Sequence, residues 1–77
     1  NPFNPVTTFN YDIPYNAFVV IKAFDVRGKE VAELVNGMIQ EGNHEVVWDA
    51  SKLSSGMYFV RMTSGDFKAV QKIVFVK

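Results

Sequence analysis

The 77-residue chain contains no cysteine and a single histidine, His44. Without thiols it can build neither a disulfide framework nor a thiolate metal site. A lone imidazole has no second histidine or cysteine to complete a ligand set. The absence of cysteine leaves the compartment open, since it suits a periplasmic or extracellular module as well as a cytosolic one. Charge of one sign is also lacking: eight basic and eight acidic side chains balance to a formal zero, which removes the electrostatic case for nucleic acid as a partner. No stretch approaches the ~20 consecutive apolar residues of a membrane helix, and no signal peptide opens the chain. Internal repeats, low-complexity tracts and charge runs are missing too. The opening at Asn1 rather than at methionine points to a fragment or a mature product of a longer precursor.

What is present is apolar and β-forming. Hydrophobic residues make up 48% of the chain and aromatic residues 14%, enough for a core and too much for a disordered segment. The length allows one domain, residues 1–77, with no room for a second core. A chain this short buries only roughly 60–65% of its unfolded surface, so its core is thin.

The stretch from Leu53 to Met62 organises the rest. Ser54-Ser55-Gly56 forms a turn, and a strong β run follows it. Tyr58, Val60 and Met62 share one parity; Met57, Phe59 and Arg61 share the other, and the charge on Arg61 marks the second set as the wetter face. A tyrosine just inside a strand after a Leu-x-x-Gly corner suits the tyrosine corner of Ig-like sandwiches, in which the ring fills the core and the hydroxyl returns to the backbone. The spacing Gly56-x-Tyr58-x-Val60 resembles the Gly-x-Tyr-x-Cys run of antibody domains, with Val60 at the cysteine position. Leu53 and Tyr58 are spaced as in the fibronectin type III corner.

In chain order, Asn1-Pro2-Phe3-Asn4-Pro5 reads as an extended turn segment, because proline removes donors and holds the preceding residue out of the helical region. A first strand follows from Thr7 to Tyr11 and stops at Pro14. Ala17 to Asp25 alternates cleanly, with Val19, Ile21 and Ala23 inward and Lys22 outward. Asp25-Val26-Arg27-Gly28 is a turn in which Gly28 takes positive φ. Lys29 to Val35 reads as a short strand ended by the turn dipeptide Asn36-Gly37. The spacing of Val31, Leu34 and Val35 also admits a helical turn, although the segment is short for a helix. From Gly42 to Asp49, His44, Val46 and Trp48 face the core. Ser64-Gly65-Asp66 turns the chain into a last strand from Phe67 to Val76. Six or seven strands, close turn signals and no convincing helix predict an all-β antiparallel Ig-like or fibronectin-III-like sandwich.

Chemistry is sparse, and no catalytic residue or cofactor is expected. His44 and Trp48 read as core packing. Asp25 and Asp49 end strands beside turns, where carboxylates accept backbone donors. A calcium site built from them with Asp12 or Asp66 is the weaker alternative, since no dense acidic loop is present. Nothing localises a cleft between two carboxylates for acid–base work. Ser54 and Ser55 lack a motif that would expose a nucleophile, and Gly56 and Gly65 sit in turns without a phosphate-loop pattern. Arg61, Lys68 and Lys72 read as a solvated strip, with an anionic docking strip as the sharper reading. Tyr11, Tyr15 and Phe24 as an exposed aromatic patch would give a weak basis for carbohydrate binding.

Several fragments together carry a family likeness: Asn1-Pro2-Phe3-Asn4-Pro5, Phe24 to Val31 (Phe-Asp-Val-Arg-Gly-Lys-Glu-Val), Gly42 to Asp49, Ser55-Gly56-Met57-Tyr58-Phe59, and the ending Lys72-Ile73-Val74-Phe75-Val76-Lys77. The chain resembles the C-terminal sorting domain (type A) of type IX secretion substrates, and is similar to the Ig-like domain of the flagellar hook-capping family. The likeness runs over essentially all 77 residues in order. Ala23, where the pattern carries a bulkier aliphatic, and Ala50, where glycine is common, depart from it. The resemblance implies a non-enzymatic signal, attached to an N-terminal passenger, that a Gram-negative-type bacterium exports through the periplasm to its surface or surroundings. Its implied partners are the outer-membrane translocon and a sortase-like peptidase, and the implied recognition segment is Lys72 to Lys77.

The residues themselves support a contact role for that segment. Ile73, Val74, Phe75 and Val76 are apolar on both parities, although a strand with one wet face should alternate. An open edge of this composition invites pairing with a partner or with a second copy, and Lys68, Lys72 and Lys77 would act as gatekeepers. A structural Ig-like accessory or self-assembling extracellular subunit, and a carbohydrate-binding module, are the competing readings.

Overall fold

The computed structural model describes residues 6–76, so the expected turn segment 1–5 and the terminal Lys77 lie outside the described residues. Six strands follow one another among the described residues: β1 (Val6–Ile13), β2 (Ala17–Asp25), β3 (Glu30–Ile39), β4 (Gly42–Asp49), β5 (Gly56–Ser64) and β6 (Phe67–Phe75). Helix is absent among the described residues. β1 and β4 form a two-stranded sheet; the other four form a second sheet in the order β3-β2-β5-β6. All pairings are antiparallel. The molecule is the expected β-sandwich, with a narrow sheet laid over a wider one.

Parity explains which side chains meet between the sheets. Val19, Ile21 and Ala23 of β2 are almost completely buried, as are Tyr58 and Val60 of β5, Trp48 of β4 and Phe75 of β6. Ile13 and Ala50 complete the core, and Met62, Phe9, Tyr11 and Val46 pack against it half-buried. The two alanines that depart from the family pattern, Ala23 and Ala50, therefore both sit in the core.

The β2–β3 hairpin closes through the Asp25 side chain. Its Oδ1 accepts from the Arg27 and Lys29 backbone N–H groups at 2.9 and 3.0 Å. The Gly28 N–H donates to the Asp25 carbonyl at 3.0 Å, and Gly28 has a φ of 85°. Positive φ at the third loop residue suits a three-residue hairpin loop, and glycine adopts it without a steric penalty.

β3 corrects the sequence reading. Asn36-Gly37 does not turn the chain. The strand runs on to Ile39, pairing Asn36 with Val20 and Gly37 with Val19, and Gly37 is not among the glycines with positive φ. A turn at 36–37 would leave the first half of β2 without a neighbour, so the ladder wins over the local dipeptide preference. The helix-like spacing of Val31, Leu34 and Val35 has a strand explanation. The register shifts twice, so that Leu34 and Val31 are each an extra residue against β2. Each bulge resets the alternation. Val31, Ala32, Leu34 and Val35 consequently all pack against the core.

Candidate recognition strand

The corner before β5 fixes where the end of the chain lies. The Leu53 N–H donates to the Ala50 carbonyl at 3.0 Å, folding the β4–β5 connection back on itself. The Tyr58 hydroxyl donates to the Ser54 carbonyl at 2.7 Å, across the corner. Both ends of the tyrosine are thereby satisfied: the ring is in the core and the hydroxyl has a backbone partner. Trp48 stands edge-on to Tyr58, with centroids 6.0 Å apart at 87°, and edge-on to Phe75 at 5.1 Å and 73°. Tyr58 and Phe75 close the triangle at 5.8 Å. Edge-to-face geometry at these separations adds about 0.5–1.5 kcal/mol per pair beyond the buried area. Phe75 thus pins the end of β6 to the narrow sheet.

The rest of β6 is held on one side only. It pairs with β5 in an unbroken register from Gly56↔Phe75 to Ser64↔Phe67, and its other edge has no partner strand among the described residues. From Phe67 to Lys72 every residue is exposed, because the two-stranded sheet is too narrow to back the outermost strand. Within the expected recognition segment, Lys72 and Val74 are exposed, Ile73 is half-buried, Phe75 is buried and Val76 is exposed. The segment is therefore not apolar on two open faces. Ile73 and Phe75 belong to the sandwich, and Val74, at 59% exposure, stands with the lysines on the outer face. That division was readable from the lysines, since Lys68 and Lys72 share the parity of Val74 and Val76. The strand also stops at Phe75, one residue before the expected Val76.

Cations gather on the outer face of β5 and β6. Arg61 lies over the Phe24 ring at 4.5 Å, a cation–π distance. Thr63 stands opposite Lys68, Arg61 opposite Val70 and Phe59 opposite Lys72, so the three cations share one face as expected. Among the described residues, none of the three forms an ion pair. The acids at the far side of the same sheet are already engaged: Lys22 Nζ lies 3.3 Å from Glu30 and 3.9 Å from Glu33.

A family model described as the secretion system C-terminal sorting domain matches residues 1–77. The chain is a type IX C-terminal sorting domain. Among curated proteins no sequence match accompanies it. The family is a sorting signal rather than an enzyme, and it marks proteins that the type IX system secretes or displays on the cell surface.

His44, Asp12, Asp25 and Asp49 of this sorting domain have structural partners. His44 stacks on Tyr11 at 5.5 Å and donates Nε2–H to the Gln40 carbonyl at 2.6 Å, so it closes the β3–β4 connection. Burial pushes the Tyr11 phenol above its ordinary range. Backbone donation from Lys29 first, aided by Arg27, holds the Asp25 carboxyl below its usual value, and Ser51 does the same for Asp49. Asp12 accepts from Asn43 Nδ2 across the β1–β4 pair at 3.0 Å. No group of three or more His, Asp or Glu able to hold a metal occurs among the described residues. The aromatic patch is a correction. Tyr11 faces inward onto His44 and Phe24 lies beneath Arg61, while Tyr15 sits in the β1–β2 connection, at the opposite end of β2 from Phe24.

Proposed function

We propose that this module is the C-terminal export signal of a larger polypeptide, read at its terminal strand by the outer-membrane type IX translocon after passage through the periplasm. A sortase-like peptidase then separates it from the passenger that precedes it. Residues 1–77 act as one folded unit, and Lys72, Ile73, Val74, Phe75, Val76 and Lys77 form the recognised segment, with Phe75 as its anchor. Gly56, Tyr58, Val60 and Trp48 hold that segment in place without contacting the machinery. The observation that carries the reading is a free, regularly paired edge at β6 with an exposed outer row, in a family defined as a sorting signal. Strand addition suits such an edge: backbone hydrogen bonds supply affinity and alternate side chains supply selectivity.

Fusion of the domain to an inert periplasmic reporter tests the role. The fusion reaches the surface of a host with the translocon, whereas the reporter alone stays in the periplasm; equal localisation of the two contradicts the reading. Deleting residues 72–77 is a poor version of this test, because it also removes Phe75 from the aromatic triangle.

A further inference from the structure

Three features of β6 bear on what binds there, and they rest on the recognition reading above. First, its free edge is regular. All nine residues pair with β5 without a register shift, whereas β3, at the opposite edge of the same sheet, is shifted twice. Bulges blunt an edge against pairing, and an unshifted strand offers evenly spaced donors and acceptors. Second, both faces of β6 are open from Phe67 to Lys72, so an added strand meets no obstruction on either side. Third, its outer row alternates cation and aliphatic, Lys68, Val70, Lys72 and Val74, with Arg61 one strand inward opposite Val70. The chain as a whole is neutral, yet none of these cations has an acidic partner among the described residues.

A second copy of β6 offers the cation row no acidic partner. Two-fold antiparallel pairing of β6 with β6 about Val70 sets Lys68 opposite Lys72 twice, and like charges directly opposite destabilise a ladder. Pairing about Gln71 sets each lysine opposite a valine and leaves both charges unmatched. Pairing β6 with β3 of another copy meets the bulged edge, whose glutamates are held by Lys22. We infer that β6 is completed by an extended segment of a partner protein that alternates acidic with neutral side chains, its acidic row facing Lys68 and Lys72. The two lysines are four residues apart, about 13 Å along an extended strand, which matches every fourth residue of a partner in the same conformation. On the other face the partner meets Phe67, Ala69, Gln71 and Ile73, which calls for uncharged side chains.

The test uses the 77-residue chain and labelled nine-residue peptides alternating threonine with glutamate, glutamine or lysine. Binding is followed by anisotropy and mapped by backbone amide NMR. The glutamate peptide should perturb β6 amides, weaken with added salt, and bind about tenfold better than the glutamine peptide. The double variant Lys68→Glu, Lys72→Glu, folded by circular dichroism, should reverse the preference toward the lysine peptide. Equal binding of glutamate and glutamine peptides, a footprint on β1 or β3, or no binding at millimolar peptide overturns the inference. So does peptide-free dimerisation through β6, or capture by anionic phospholipid vesicles with no ordering of β6 amides. Normal export of the double variant in the reporter fusion would refute the acidic partner while leaving the sorting role intact. Failure of the unmodified fusion to export would instead refute the role itself.

Discussion

The two ends of β6 are built differently. At its last residue, Phe75 is locked between Trp48 and Tyr58, and Ile73 packs beneath the sheet beside it. Toward its start, from Phe67 to Lys72, the strand has a neighbour on one side and solvent on both faces. The first end supplies stability; the second supplies surface. An edge strand made wholly like the first end would have nothing left to present, and one made wholly like the second would fray, because few buried contacts would oppose local opening. Anchoring one end in an aromatic triangle leaves the outer row available without losing the strand.

Substitutions that remove the anchor should have the largest effect. Tyr58→Ala deletes a ring from each of two aromatic pairs and should cost about 3–5 kcal/mol, enough to unfold a domain this small. Equal denaturation midpoints for this variant and the parent would remove the corner from the account. The comparison within β6 is sharper. Phe75→Ala should cost about 3–5 kcal/mol, whereas Phe67→Ala, eight residues earlier in the same strand and 56% exposed, should cost less than about 1 kcal/mol. Similar urea midpoints for the two variants would break the contrast between the ends. Tyr58→Phe keeps the ring and removes only the bond to Ser54, so about 1 kcal/mol is expected.

The smallest effect is on acid stability, and its sign follows from the depressed carboxyls. Asp25 and Asp49 ionise more readily folded than unfolded, so their contribution is complete above the unfolded value near 3.8. It is lost as the pH falls through the lower folded values. Asp25→Asn should therefore flatten the acid limb of the stability profile below that value. An unchanged limb would mean that the hairpin loop contributes no proton linkage.

Much of this was legible in the residues, for reasons that also explain what was not. Strands β2 and β4 were readable to the residue, because one face of each is buried and period-two alternation records that fact. The tyrosine corner was readable because a short spacing, Ser54 to Tyr58, holds both donor and acceptor. β3 was misread because its two bulges disrupt the alternation, turning a ten-residue strand into a pattern that resembles a helical turn. Asn36-Gly37 misled because a turn preference of the dipeptide is weaker than a ladder already set in register by the Asp25 loop. In the recognition segment, composition showed an apolar run but not its sidedness. Its sidedness lay in the lysines instead, since Lys68 and Lys72 mark the parity of Val74 and Val76 as the wet row; what no local pattern carries is the contact of Phe75 with Trp48, a residue from a different sheet.

The most direct test of the account concerns Val74, which lies between the two ends, outward of the core and next to Phe75. A reporter fused to the domain carrying Val74→Glu should keep the circular dichroism of the parent and its unfolding free energy within about 0.5 kcal/mol, because the side chain it replaces is exposed. Its surface display should fall well below that of the parent fusion, because a carboxylate in the cationic outer row repels the acidic row inferred for the partner. A variant that folds and is displayed at the parental level would contradict the claim that this face of the terminal strand is what the export machinery reads.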